Sequence, residues 1–204
     1  MAGLPTRTLT RRGCTTRRRL LDGARDELVE AGGRLEIAAL ARRLNASPAL
    51  LYRYFGSKDG LVAAVVDEFY DEYEAAVFLT VSRDSTWQVR ERERIAREVA
   101  FLYSHPLARA VIARRLQEPA ASHADARRLA TQIDVAARNV TRGQREGSVD
   151  PHIDAGLAAA AYLGAFRELV AAALGRPTPP PQPEIVEMMS AIGTTIVPSP
   201  QGEQ

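Results

Sequence analysis

Residues 36–60, EIAALARRLNASPALLYRYFGSKDG, decide how this chain folds. Ile37, Leu40, Ala41 and Leu44 fall at helical spacing, so the pattern predicts a short helix with one buried face. Asn45 follows, one of the few non-glycine residues that accept the left-handed backbone of a sharp helix end. Ser47 is placed to cap a second helix with its hydroxyl, and Pro48 takes the first helical position, where a missing N–H costs nothing. Leu51 and Phe55 recur four apart on that helix and are expected to pack inward. Two short helices joined by a three-residue turn make a helix-turn-helix.

The outer side of the second helix is then Pro48, Ala49, Tyr52 and Arg53: small residues at its start, followed by a phenol and a guanidinium. A slim helix N-terminus fits a major groove, and an arginine there can grip guanine or a phosphate. In GSKDG, Ser57 is read as the cap of a third helix. Lys58, the only lysine among 27 basic residues, stands in its first turn, where amide donors and the helix dipole favour an anion. The same stretch also reads as two amphipathic helices packed in an all-helical core.

LYRYFGSKDGL, preceded by IAALARRLNASPAL, resembles the N-terminal DNA-binding domain of the TetR family of bacterial transcriptional regulators. The resemblance covers roughly residues 17–73. It implies that Tyr52 and Lys58 meet DNA phosphates while Leu51 and Phe55 hold the core. The expected DNA-binding set is Ser47, Pro48, Ala49, Tyr52, Arg53 and Lys58. The sequence departs from the family's pattern in AGGRL, which lacks the usual aromatic after its glycine. It departs again at Glu36, which stands where a capping Ser or Thr is common, so Glu36 is left off the DNA-contact set.

Charge is divided unevenly along the chain. Residues 1–60 carry 12 basic and 6 acidic side chains, a net of +6, whereas residues 61–204 carry 15 and 19, a net of −4. The basic surplus lies in the segment that holds the helix-turn-helix, as phosphate binding requires. A single cysteine, Cys14, excludes internal disulfides and fits a reducing cytosol, and no apolar run follows the basic N-terminus, so no signal peptide is expected. Ala155 to Gly175 is apolar apart from Arg167 and Glu168, which would be costly in lipid; it is read as a buried helix and no membrane partner is expected.

The expected order is a flexible basic arm over 1–15, a helix-turn-helix domain over 16–60, and a ligand-binding and dimerisation domain over 61–204. The arm either follows a DNA groove or touches nothing. Arg17, Arg18 and Arg19 open the first helix, with Leu20, Ala24, Leu28 and Ala31 as its stripe. From Ser57 a long helix runs to about Leu79 with two apolar faces, implying contact on two sides; Asp67, Glu68, Asp71, Glu72 and Glu74 are read as solvated charges on its remaining face. Later starts are assigned to Asp84 or Ser85, to Ser122 after a break at Pro119, and to Asp150. The segment PTPPPQP (177–183) is read as extended, before a last helix over about 184–197.

These elements make an all-α fold, a three-helix DNA-binding head on a C-terminal bundle of about six helices. The last two are the most apolar. Two from each subunit are expected to form a four-helix interface, giving a homodimer through 150–197 that spans successive major grooves about 34–36 Å apart; the alternative is that they only complete a monomer core. Phe69, Tyr73, Trp87, Phe101, Tyr103, His105, Tyr162 and Phe166 are either cavity-lining aromatics or plain core. By the resemblance, a small and largely apolar ligand binds among them and releases a repressor from a palindromic double-stranded DNA operator. The competing expectation is a helical protein-interaction module that has lost specific DNA binding. The three histidines have no partners at metal-ligand spacing, and no phosphate loop or nucleophile elbow is present, so neither metal, cofactor nor enzymatic activity is expected.

Overall fold

Thr10 starts the first helix by accepting a hydrogen bond at Oγ1 from Gly13 N (3.2 Å). In this computed structural model, which describes residues 10–78, 86–112, 116 and 118–200, every regular element described is an α-helix. They are α1 (Arg11–Glu30), α2 (Ile37–Arg43), α3 (Pro48–Phe55), α4 (Lys58–Phe78), α5 (Trp87–Ser104), α6 (Ala108–Ile112), α7 (Pro119–Arg145), α8 (Ala155–Gly175) and α9 (Gln182–Ile196).

Several starts differ from the sequence expectation, and capping chemistry accounts for them. Residues 11–15 are helical instead of belonging to an arm, because Thr10 supplies the cap; residues 1–9 lie outside the described residues. Thr86 caps α5 by accepting from Val89 N, whereas Asp84 and Ser85 lie outside the described residues. Pro119 begins α7 instead of breaking it, since proline is preformed for the first helical position. Asp154, not Asp150, caps α8, accepting from Leu157 N at 2.8 Å; Asp150 closes a local turn to His152 N. Pro183 sits in the first turn of α9, so the proline-rich connection is two residues shorter than expected.

α4 organises the rest. It touches α1 and α3 on one side and α5 and α7 on the other. Leu61, Val62, Val65, Val66, Phe69, Tyr70, Tyr73 and Val77 are all buried along it, within one core that runs from Leu20 in α1 to Met189 in α9. The boundary expected at residue 60 therefore falls inside an unbroken helix. The acidic face of α4 is not simply solvated. Arg128 of α7 reaches Asp67 (3.1 Å), Asp71 (2.6 Å) and Glu74 (3.4 Å), and Arg127 also reaches Asp67. These pairs bind α4 to α7 along the surface.

Two polar clusters lie inside the body. Arg167 of α8 donates to Asp125 of α7 (2.8 Å) and to the Tyr70 hydroxyl (2.9 Å), and Tyr70 donates to Asp125. α8 is long and apolar enough to cross a membrane by length and composition, yet half of its most apolar window is buried within the protein. The second cluster centres on Glu98 of α5, which faces Arg94, Glu91 and Arg97 of its own helix and Tyr73 of α4, with Gln132 of α7 beside it. Burial outweighs the neighbouring Arg94 and pushes the Glu98 carboxyl up to about 7.

Below about pH 4.5 this group is neutral folded or unfolded; between 4.5 and about 7 only the unfolded chain loses the proton. The Glu98 contribution to stability therefore declines as pH rises through that window. Denaturation midpoints of Glu98→Gln at pH 5 and pH 8 are expected to show a shallower decline than the parent, and an equal decline would refute the assignment.

Candidate nucleic-acid interface

α2 ends where Asn45 adopts φ 45°, and the chain closes the turn with Ala46 N donating to Ala41 O (2.9 Å). Ser47 Oγ then accepts from Leu50 N (3.2 Å), capping α3 with Pro48 in its first turn. Leu51 is 1% exposed and pins the helix to the core, with Phe55 half-buried beside it. This fixes the rotation of α3 and leaves Ser47, Pro48, Ala49, Tyr52 and Arg53 exposed. Tyr52, at 44%, is one of the few large hydrophobic side chains so exposed. The Arg53 guanidinium lies over the Tyr54 ring at 5.4 Å, with its donors still near solvent. Glu36 precedes α2 without a side-chain capping bond.

The turn after α3 is tight. Gly56 has φ 77°, and Ser57 Oγ accepts from Gly60 N (3.0 Å) to cap α4. Lys58 is thereby held in the first turn of α4, immediately after α3 and its turn, and is partly exposed. It is not free: Glu118, from the link between α6 and α7, lies 2.9 Å from its Nζ. No local pattern signals that contact, since the partners are 60 residues apart. Sequence reasoning named Arg17 but not its packing: the guanidinium lies over the Phe55 ring at 5.2 Å and so braces α1 against α3. Its arginine run was legible, but the ring beneath it belongs to another helix.

The aromatic set proposed for a ligand divides. Phe69, Tyr73, Phe101 and His105 pack ring on ring, with Phe69–His105 at 4.9 Å and Phe101–His105 at 5.0 Å. The Tyr103 hydroxyl donates to Pro180 O, and Phe166 lines a void of about 10 Å³. Trp87 and Tyr162 instead line an open groove of about 230 Å³ between α5, α8 and α9, together with Val89, Ile95, Gly193 and Thr194. Burial pushes the Tyr162 hydroxyl far above its ordinary pKa, with the neighbouring Glu91 carboxylate adding to the rise, so it stays protonated. Among the described residues no three His, Cys, Asp or Glu side chains are grouped to hold a metal.

Residues 20–65 match the family model described as bacterial regulatory proteins, tetR family. The head is a TetR-family domain. Over most of its length the chain also has the fold of solved TetR-family regulators. A putative TetR-family regulator from Shewanella sp. PV-4 superposes with TM-score 0.69 at 16% identity, covering 89% of this chain and 97% of that one. GusR of Salmonella enterica superposes with TM-score 0.70 at 18% identity, covering 93% and 98%. AibR, solved in complex with isovaleryl coenzyme A and operator DNA, superposes with TM-score 0.64 at 18% identity, covering 86% and 96%. A comparison with curated protein sequences finds no match.

The turn into α4 has one position that admits no side chain. A Cβ on Gly60 would meet the Phe55 carbonyl oxygen at 2.0 Å, a backbone atom that cannot swing aside. Gly60→Ala is expected to destabilise the head by roughly 1–3 kcal/mol through this overpacking. Amide hydrogen exchange checks it: α3 should lose protection, and unchanged protection there would contradict the tight-turn geometry.

Proposed function

We propose that this TetR-family protein is a DNA-binding transcriptional repressor, holding a palindromic operator as a homodimer and leaving it when a small, largely apolar ligand binds the body. The reading rests above all on the capped, slim N-terminus of α3, which leaves Ser47, Pro48, Ala49, Tyr52 and Arg53 exposed on one short element, followed directly by Lys58. An α3 N-terminus without bulk enters the major groove. Arg53 reads a guanine edge or holds a phosphate, while Tyr52 and Lys58 hold phosphates on the flanking backbone. The charge division supports the same reading, with the surplus of cations in the first 60 residues.

Base readout and backbone grip separate by mutation. Lys58→Ala is expected to weaken binding to all sequences alike and to lower the salt slope by about one, whereas Arg53→Ala should also relax base preference. Footprinting and salt-titrated binding on sites recovered by genomic selection check both. Absence of specific, salt-sensitive binding would refute the function itself.

For the dimer, the support is an unfilled apolar face. Leu157, 73% exposed, Ala161, Gly164 and Ala172 recur along α8, interrupted by the single exposed charge of Glu168, and Met188, 52% exposed, and Ala191 lie on α9. Small residues allow a second pair of helices to approach closely, and this face falls within residues 150–197. A Cβ at Gly164 would meet nothing within 4 Å. Gly164→Arg should therefore keep the fold but yield monomers in analytical ultracentrifugation, and a dimer of unchanged affinity would place the interface elsewhere.

For the ligand, the groove at Trp87 and Tyr162 has the lining that suits a largely apolar molecule. Trp87 is the only tryptophan in the chain. A true ligand is expected to shift Trp87 fluorescence, raise the melting temperature and lower operator affinity together. One that lowers operator affinity without touching Trp87 fluorescence would exclude this groove.

A further inference from the structure

The lysine that the proposed function assigns to a DNA phosphate is already occupied by a carboxylate from the body. Glu118 Oε1 lies 2.9 Å from Lys58 Nζ, and the same oxygen accepts a hydrogen bond from Leu35 N at 3.3 Å. Leu35, fully buried, lies on the link between α1 and α2, while Lys58 opens α4. One side chain from the α6–α7 link thus holds two separate parts of the head. The Glu118 side chain is only 13% exposed, so its charge is less screened than that of a surface pair.

We infer that Glu118 is an internal competitor for the phosphate site, an anion supplied by the body that DNA must displace from Lys58. The inference rests on the reading of Lys58 as a phosphate contact and goes beyond it. A phosphate on the same ammonium brings two like charges within a few ångströms, and their repulsion opposes binding. Exchange of one anion for another also removes Lys58 from the count of cations that release counterions. Glu118 therefore sets the affinity of the head for any duplex without touching DNA. It stands one residue before α7, the helix that Arg127 and Arg128 tie to α4, so a displacement of α7 carries the competitor toward or away from Lys58.

The test uses the intact protein and Glu118→Gln, which removes the charge and keeps an oxygen for Leu35 N. Operator affinity at low salt should rise by about tenfold, with a salt slope steeper by about one. In a Lys58→Ala background the same change should have no effect on affinity, since the pair is already broken. Lys58 is the only lysine, so a second readout is direct: an amine-acylating reagent should modify its side chain several-fold faster in Glu118→Gln than in the parent, without DNA. If Lys58→Ala weakens DNA binding but Glu118→Gln leaves affinity and labelling unchanged or reduces them, the competitor is overturned while the phosphate contact stands. A gain that persists in the Lys58→Ala background is a general charge effect and also overturns it. If Lys58→Ala leaves DNA affinity intact, the phosphate contact fails and the competitor fails with it.

Discussion

Burial of both faces of α4 is the constraint on which the rest of this structure depends. Leu61, Val65, Phe69 and Tyr73 form one apolar stripe, Val62, Val66, Tyr70 and Val77 another, and all are buried. A helix buried on two sides must have a neighbour on each. Here α1 and α3 are the neighbours toward the N-terminus, and α5 and α7 those toward the bundle. Head and body consequently share one continuous core instead of being joined by a linker. A tilt of α4 moves α3, which packs against it, and this is how events in the body would reach the duplex in the proposed function.

Around that apolar axis, polar groups set register. The surface pairs from Arg127 and Arg128 to Asp67, Asp71 and Glu74 align α4 with α7. Inside, Arg167 spans α8, α7 and α4 through Asp125 and Tyr70. Such pairs contribute little net stability once desolvation is counted, but a slipped register would leave a buried charge alone, at a cost of about 3–5 kcal/mol. Among the described residues, the buried nitrogens Arg94 Nε, Gln132 Nε2 and Arg167 Nε remain unpartnered. All three lie beside voids of about 10 Å³.

The head was largely legible in the sequence because its signals are local. A left-handed Asn45, the Ser47 and Ser57 caps, Pro48 in a first turn and the Leu51 anchor each depend on residues within a few positions, and each takes the form its chemistry predicts. Misjudged boundaries were those where two caps competed. Asp154 prevailed over Asp150 at α8, Thr86 caps α5, and Pro119 started α7 where a break was read. Helix starts hinge on one hydrogen bond, worth about 1 kcal/mol, so neighbouring candidates differ by less than periodicity can resolve.

By itself, the sequence determined the all-helical class, the helix-turn-helix and its exposed Tyr52 and Arg53, and the two-faced character of α4, because periodicity and capping act over a few residues. Tertiary structure alone decided which cations are occupied, with Glu118 on Lys58 and the α4 acids on Arg127 and Arg128, and which aromatics border space. Phe69, Phe101 and His105 spend their faces on each other, while Trp87 and Tyr162 open onto a groove. These outcomes depend on pairs dozens of residues apart. A side chain's type states what it can bind, and only the packed chain states what is within reach.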